Sequence, residues 1–374
     1  MDPVRGKTLR MSAGSSASRA SNGVDASAHF RGKKITLMRI GLLGRGVGDA
    51  AYLAKCGAEV LVVDDAPREV MQPSVDALQE FKNITFKFGK YDLKDFRTCD
   101  LVLKGAGTAY DSPEIAEAHK HNIPVRMSAD LFAELSGVTC VGVTGTRGKS
   151  TVVHMLHAML KGAKKPVLLG GNVRGVSTLA LLAEATPEHV AVLELDSWQL
   201  QGFGEAQMSP HIAVFTTLYP DHMNYYKNDA DAYLADKANI FLYQKTDDTL
   251  ILGKQCAPTI IEKYADRIDS KTLVVDALKL PDTWTLAIPG MHNRYDAALA
   301  LAATRALGVE DEASRRALAS FAGVPGRLEF LREVNGVRVY NDTTATTPEA
   351  TLAALAALEP SRTVLIAGGT DKGL

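Results

Sequence analysis

The residues best suited to chemistry form one stretch, Gly145-Thr146-Arg147-Gly148-Lys149-Ser150-Thr151. It follows the largely β-branched run 138–144 and opens a segment where Val152, Met155, Leu156, Met159 and Leu160 recur at helix spacing. A strand, a glycine turn and a helix N-terminus together make a phosphate site. The glycines let successive backbone N–H groups approach the oxygens, and the helix dipole favours the anion. Lys149 adds a charge, and Ser150 or Thr151 offers a hydroxyl to Mg²⁺. The usual spacing G-x-x-x-x-G-K-[ST] would put a glycine where Val143 stands, so the match is to a shorter loop. Two more groups fall just past apolar strands, Glu194 after residues 190–193 and His222 after residues 211–217. Ligands of open α/β sheets sit beyond the carboxyl ends of the strands, so Lys149, Glu194 and His222 converge. Phosphate, carboxylate and imidazole around one point suggest Mg²⁺–ATP. His154 and His157, three apart on the following helix, read as a solvated face rather than a metal pair.

These residues need a scaffold, and the 374-residue chain is long enough for two or three domains with substantial cores. A formal net charge of −1 makes no electrostatic case for nucleic acid. Cys56, Cys99, Cys140 and Cys256 are widely spaced, with no pair at metal-ligand spacing, which suits a reduced cytosolic protein. No apolar run approaches the roughly 18 residues of a membrane helix.

Residues 1–33, rich in Ser, Ala, Gly and Arg, read as a disordered tail outside the fold. From Lys34 the pattern becomes α/β. A strand at 35–41, a helix at 49–57 and a strand at 59–63 ending on Asp64-Asp65 form a βαβ unit. The register G-x-G-x-x-G would fall on Arg39, Gly41 and Gly44, so its first glycine is missing. A weak NAD site and a nucleotide-handling fold without NAD both remain open on these residues. Strands at 100–103 and 123–126 extend this unit to about residue 136, and a phosphate-loop domain covers 137–326. That domain includes a strand and turn at 285–293 and an alanine-rich helix at 294–307. A third unit, 327–374, holds a hairpin joined by Asn335-Gly336, a helix from Glu349 and a strand at 363–367. A unit this small that stops at a strand-to-helix turn has a marginal core, and we expect it to be incomplete.

Together these segments resemble the Mur ligases, over about residues 34–374. Residues 145–151 resemble the family's phosphate loop. Gly170-Gly171-Asn172 resembles a turn near its muramoyl substrate. Leu193-Glu194-Leu195-Asp196-Ser197-Trp198-Gln199-Leu200 is similar to the segment whose glutamate binds Mg²⁺. Asp221-His222-Met223 resembles the motif whose histidine holds a second Mg²⁺, and Lys237 stands where the family carries a carbamylated lysine. Gly290-Met291-His292-Asn293 is similar to the adenine-binding turn, and Arg327 to an arginine that reaches the γ-phosphate. Asp342-Thr343-Thr344-Ala345-Thr346 and Lys372 stand at segments that meet the nucleotide and the incoming amino acid, and they look like the D-glutamate-adding branch.

The resemblance implies a fold of three α/β modules: a Rossmann-like uridine-nucleotide domain, a central P-loop-type ATPase domain and a C-terminal Rossmann-like domain. It implies an ATP-dependent amide ligase of peptidoglycan precursor synthesis in the cytoplasm, joining UDP-N-acetylmuramoyl-L-alanine to D-glutamate through an acyl phosphate; the residues do not give the oligomeric state, and a monomer is favoured. Lys149, Glu194, His222, Lys237 and Arg327 would carry catalysis, with Ser150, Glu194, His222 and Lys237 at two Mg²⁺ sites. Gly145 to Thr151, Asn293, Arg327 and Asp342 would bind ATP. Leu42, Leu43, Asp64, Asn172, Asp196, Ser197, Gln199, Thr346 and Lys372 would bind substrate.

Several residues depart from the family pattern. Thr344 replaces a lysine, Asp296 an asparagine, Gly326 a histidine and Arg39 a glycine, while 104–107 differ from the family's uridine-site turn. From the residues alone Lys237 reads as a surface helix lysine. A nucleotide-binding regulatory protein and an inactive fragment on the same fold stay open as other classes.

Overall fold

The computed structural model describes residues 26–42 and 44–369. Leu43 and Lys372, both expected at the substrate, lie outside the described residues. The first module begins with helix α1 (Ala26–Phe30) and alternates β1 (Lys34–Met38), α2 (Arg45–Lys55), β2 (Glu59–Asp64), α3 (Arg68–Asp76), β3 (Ile84–Phe88) and β4 (Leu101–Lys104). It closes with α4 (Pro113–Lys120), β5 (Val125–Arg126) and α5 (Ser128–Leu135). All five strands are parallel in the order β3-β2-β1-β4-β5, so the winding reverses at β1. A crevice at such a reversal is where this architecture binds ligands.

The second module holds β6 (Thr139–Thr144), α6 (Lys149–Gly162), β7 (Val167–Gly171), β8 (Val190–Glu194), α7 (Ser197–Glu205) and β9 (Ile212–Phe215). It continues through α8 (Ala230–Ala238), β10 (Thr249–Gly253), α9 (Ala257–Tyr264), β11 (Lys271–Val275), α10 (Met291–Ala306) and α11 (Asp311–Ala319). Its six parallel strands run β11-β10-β9-β6-β8-β7, with β6 between β9 and β8. Val152, Val153, Met155, Leu156, Met159 and Leu160 are all buried, because α6 is enclosed by the sheet, α10 and α11. His154 and His157 are consequently half-buried rather than solvated, and His154 Nδ1 lies 2.7 Å from the Ser150 carbonyl oxygen. A third segment pairs β12 (Glu329–Val334) antiparallel with β13 (Val337–Asn341), followed by α12 (Pro348–Ala357).

Four expectations change. The tail reading of residues 1–33 fails at its end, since α1 buries Phe30 completely, edge-on to Tyr52 at 6.2 Å. One aromatic side chain inside a polar, small-residue run is invisible to composition, yet it supplies a full core contact. Strand β3 was not anticipated, because its inward residues alternate with Thr85 and Lys87 in a short charged stretch. Residues 285–288 form no strand, and the structure starts the following helix at Met291. Residues 363–367 join no ladder, leaving Val364 89% and Ile366 94% exposed. Branched residues favour a strand only where a neighbouring strand offers hydrogen bonds and a packing face.

All four cysteines are buried, and none of them forms a disulfide among the described residues. Among the described residues no helix is long and apolar enough to cross a membrane.

Candidate active site

The phosphate loop leaves β6 at Thr144 and turns on two glycines with positive φ, Gly145 at 138° and Gly148 at 88°. A Cβ on Gly145 would lie 2.1 Å from Thr216 Oγ1, and one on Gly148 2.5 Å from Asp296 Oδ1, so only glycine fits either place. Val143, where a longer loop would carry glycine, is an interior strand residue paired with Glu194 and Val214. The loop is pinned from β9's exit. Thr146 N–H donates to Thr217 O at 2.7 Å, Arg147 N–H to Thr217 Oγ1 at 2.9 Å, and the Thr146 hydroxyl to Tyr219 O at 3.0 Å.

Lys149 folds its ammonium onto the loop, donating to Gly145 O at 2.8 Å and Thr146 O at 3.1 Å. Burial lowers its pKa, opposed by the nearby charges of Glu194 and Asp196. From the third segment Arg327 reaches across, its Nη2 donating to Ser150 Oγ at 3.0 Å. Residues 177 positions apart are thus joined at the phosphate loop.

Lys149, Glu194, Asp196, His222, Asn293, Arg327, Asp342 and Thr346 all line one cavity of about 680 Å³. Thr146, Arg147, Gly148, Thr151 and Asn172 share it. Asn293 donates to Pro289 O at 2.6 Å, which fixes the turn at the head of α10. Asp342 accepts from Leu328 N–H at 2.8 Å. Asp296 is buried beside Gly148, and burial pushes its carboxyl well above the usual range despite Arg327 and Thr151. Two departures from the family pattern touch each other. Thr344 donates to Gly326 O at 2.8 Å, and a Cβ on Gly326 would meet Thr344 Cγ2 at 3.0 Å.

Lys237 corrects the reading of a surface helix lysine. It is 1% exposed, donating to Gly145 O at 3.0 Å and Thr144 Oγ1 at 3.2 Å, with the Tyr233 ring 4.9 Å away. Burial and the charge of Lys149 pull its pKa well below the ordinary lysine value. A lowered pKa favours the neutral, nucleophilic amine, and a carbamate on it would present oxygens where an ammonium would repel a cation. Among the described residues no three His, Cys, Asp or Glu side chains gather as a metal cage. The donor set suits Mg²⁺ nonetheless: the Ser150 hydroxyl, the Glu194 carboxylate, His222 and a carbamate, completed by phosphate oxygens. His222 lies on a left-handed backbone at φ 55°, its ring 4.6 Å from Trp198, and burial lowers its pKa.

A second cavity, of about 440 Å³, opens where the first sheet reverses. Leu42, Asp64 and Gln199 line it, and Arg39, Arg45, Asp49 and Lys104 join them. Arg39 replaces a glycine but keeps the left-handed φ, 62°, and pairs with Asp65 at 2.7 Å. Asp196 and Gln199 cap α7 reciprocally: Gln199 N–H donates to Asp196 Oδ1 at 2.8 Å, and Asp196 N–H to Gln199 Oε1 at 3.2 Å. Because Asp196 faces the larger cavity and Gln199 the smaller, the start of α7 is the partition between them. Ser197 is buried and lines neither cavity. Asn172 bridges the modules, accepting from Arg45 Nη1 at 2.6 Å.

Sequence reasoning missed Arg45 and Asp49 and gave Lys104 no role beyond a departure at the uridine-site turn; the signal in the residues was a charge inside or ending an apolar element. Asp49 accepts at Oδ1 from Ser177 at 2.6 Å and Ser128 at 2.8 Å, joining the modules. Burial pushes its carboxyl up to about 6 against those hydrogen bonds. A folded-state value above the ordinary 3.8 makes its stability contribution complete at low pH and lost as pH rises through about 6. Asp49→Asn keeps the Oδ1 acceptor without the charge. Thermal melts from about pH 4 to pH 7 should show the parent losing on the order of 3 kcal/mol relative to this variant. A constant difference would remove Asp49 from that account.

Two parallel-sheet modules and a third segment meeting at a phosphate loop define a nucleotide-using α/β enzyme. The Mur ligase middle domain matches residues 143–280. The UDP-N-acetylmuramoylalanine–D-glutamate ligase of Roseiflexus sp. (strain RS-1) is 33% identical over 372 residues, covering 92% of this chain and 79% of its own length. The same-named ligase of Geobacillus kaustophilus (strain HTA426) is 32% identical, covering 89% and 77%. Among solved structures, a murein peptide ligase from Psychrobacter arcticus superposes with a TM-score of 0.57 at 19% identity, covering 88% of this chain and 76% of its own. UDP-N-acetylmuramate-alanine ligase MurC from Thermotoga maritima gives 0.54 at 19% identity, covering 87% and 78%; both show the shared fold. The chain belongs to the Mur ligase family.

Proposed function

We propose that this chain joins D-glutamate to UDP-N-acetylmuramoyl-L-alanine, converting ATP to ADP and phosphate, as a monomeric cytoplasmic enzyme of peptidoglycan precursor synthesis. The observation that carries this reading is that Lys149, Glu194, His222 and Arg327 line one cavity, close to buried Lys237. It adjoins the smaller cavity across α7, so a nucleotide-sugar seated at the sheet reversal can extend its carboxylate to the phosphate loop. The relatives' printed name supplies the amino acid.

A carboxylate is a poor acyl donor. Its oxygen attacks the γ-phosphorus of ATP, expelling ADP and leaving an acyl phosphate. The amine of D-glutamate then attacks the acyl carbon, phosphate leaves, and the amine gives up a proton. Such transfer depends chiefly on positioning and on charge stabilisation. Lys149 and Arg327 supply fixed positive charge, and the loop N–H groups cradle the phosphates. Mg²⁺, held by Ser150 and Glu194 and by His222 and carbamylated Lys237, would neutralise further phosphate charge.

ADP release should require UDP-N-acetylmuramoyl-L-alanine and rise with D-glutamate alone in a panel of D- and L-amino acids. ATP binding with no amino acid stimulating release would favour a non-ligase nucleotide-binding protein.

A further inference from the structure

A buried polar chain runs from the smaller cavity to the helix that carries Lys237. Lys104, at the end of β4, is 2% exposed, and its ammonium donates to Gln201 Oε1 at 3.2 Å, 5.1 Å from the Tyr110 ring. Burial pulls that ammonium down to about 8, against the charges of Asp196, Asp236 and Asp130. Gln201, on α7, donates from Nε2 to Asp236 Oδ2 at 2.8 Å and to the Tyr225 hydroxyl at 3.2 Å. Asp236 also accepts from the Tyr226 hydroxyl at 2.9 Å, and it directly precedes Lys237 on α8.

The loop after β4 grips the His222 loop from outside as well. The Tyr225 hydroxyl donates to Thr108 O at 3.5 Å, and Lys227 pairs with Asp111 at 2.8 Å. Within that loop His222, Lys227 and Asn228 hold φ values of 55°, 53° and 63°. Non-glycine residues keep such a backbone only where their surroundings over-determine it. The Lys227–Asp111 pair is solvent-exposed and contributes little, so of the ties from the β4 side the buried chain through Gln201 is the stronger, acting beside the Arg147–Asp221 pair at 3.4 Å. Lys104, Gly105 and Ala106 also line the smaller cavity, so a ligand there touches the same segment that holds Gln201.

We propose that Lys104 is a positioning residue that couples the two cavities. A nucleotide-sugar in the smaller one fixes the β4–α4 loop, and through Gln201 this holds the His222 loop and α8 in place for the larger one. The inference rests on the functional reading above. Linkage makes the effect reciprocal, so each ligand tightens the other by one common factor.

Calorimetric titration of the full chain tests this, using UDP-N-acetylmuramoyl-L-alanine and Mg²⁺ with a non-hydrolysable ATP analogue. Each is titrated alone and against a saturating amount of the other. The parent should show mutual tightening of about 5-fold or more. Lys104→Met should leave the ATP analogue's separate affinity intact while bringing the coupling factor to one. Tyr225→Phe keeps the ring on Trp198 and removes only the hydroxyl links, and should lower the factor even if Lys104→Met fails to fold. Coupling that persists in both variants, or a factor of one in the parent, overturns the proposal. A parent that binds neither ligand overturns the functional reading, and the coupling with it.

Discussion

The Lys149→Ala variant is expected to release ADP ~10²–10³-fold more slowly than the parent, the usual loss when one preorganised charge or donor leaves a transition state. Its side chain is half-buried, and its ammonium is already held at the loop by the Gly145 and Thr146 carbonyls. Little reorganisation is therefore needed when charge develops on the transferring phosphoryl group. The fold should survive. Lys149 is the first residue of α6, and the loop is anchored independently through Thr146, Arg147 and Thr217. Alanine is also the best helix former. A thermal melt close to the parent's with ADP release abolished would support the assignment. Parent-like ADP release would remove Lys149 from the phosphate site.

The second large effect concerns Lys237. Lys237→Ala should lose activity by a similar ~10²–10³-fold while its thermal stability holds or rises. The stability argument is electrostatic. The parent buries an amine next to the Lys149 charge, and removing such a group relieves a desolvation cost. If the lysine works as a carbamate, a short carboxylate such as acetate can return two oxygens to the vacated space and restore part of the rate. Lys237→Arg keeps a cation, cannot be carbamylated, and should resist rescue. Full activity of the alanine variant without added acid would rule out the carbamate. A loss that acetate leaves untouched would favour a structural role for the amine.

Much of this site is legible in the residues. The phosphate loop reads directly, because glycine spacing, Lys149 and the helix behind it follow from backbone sterics and the helix dipole. Glu194 and His222 are legible as strand-end residues, since a parallel sheet gathers such positions on one edge. The residues that fill the space between modules are not. Lys104, Asp49 and Arg45 carry no local pattern that marks them as buried, and their partners lie 97, 128 and 127 positions away. Lys237 belongs with them: helix spacing sets it on the face of Tyr233, Leu234 and Ala238, but a lysine there carries no local mark of burial, and its partners Thr144 and Gly145 lie more than ninety positions away.

Errors at the two ends of the chain have related causes. Phe30 is an isolated apolar residue whose value depends on Tyr52 waiting beneath it. Residues 363–367 have the branched composition of a strand and find no neighbour to pair with among the described residues. Local sequence determined which segments become strands, helices and turns wherever the periodicity is strong, and it pointed to an ATP phosphate site through the phosphate loop and strand-end groups. Tertiary structure alone decided the downward pKa shift of Lys237 and the upward shift of Asp296, the meeting of Arg327 with Ser150, and the partition of two cavities by α7. The division follows from range. Backbone preference acts over a few residues, whereas desolvation and charge depend on everything packed within a few ångströms, however distant in the chain.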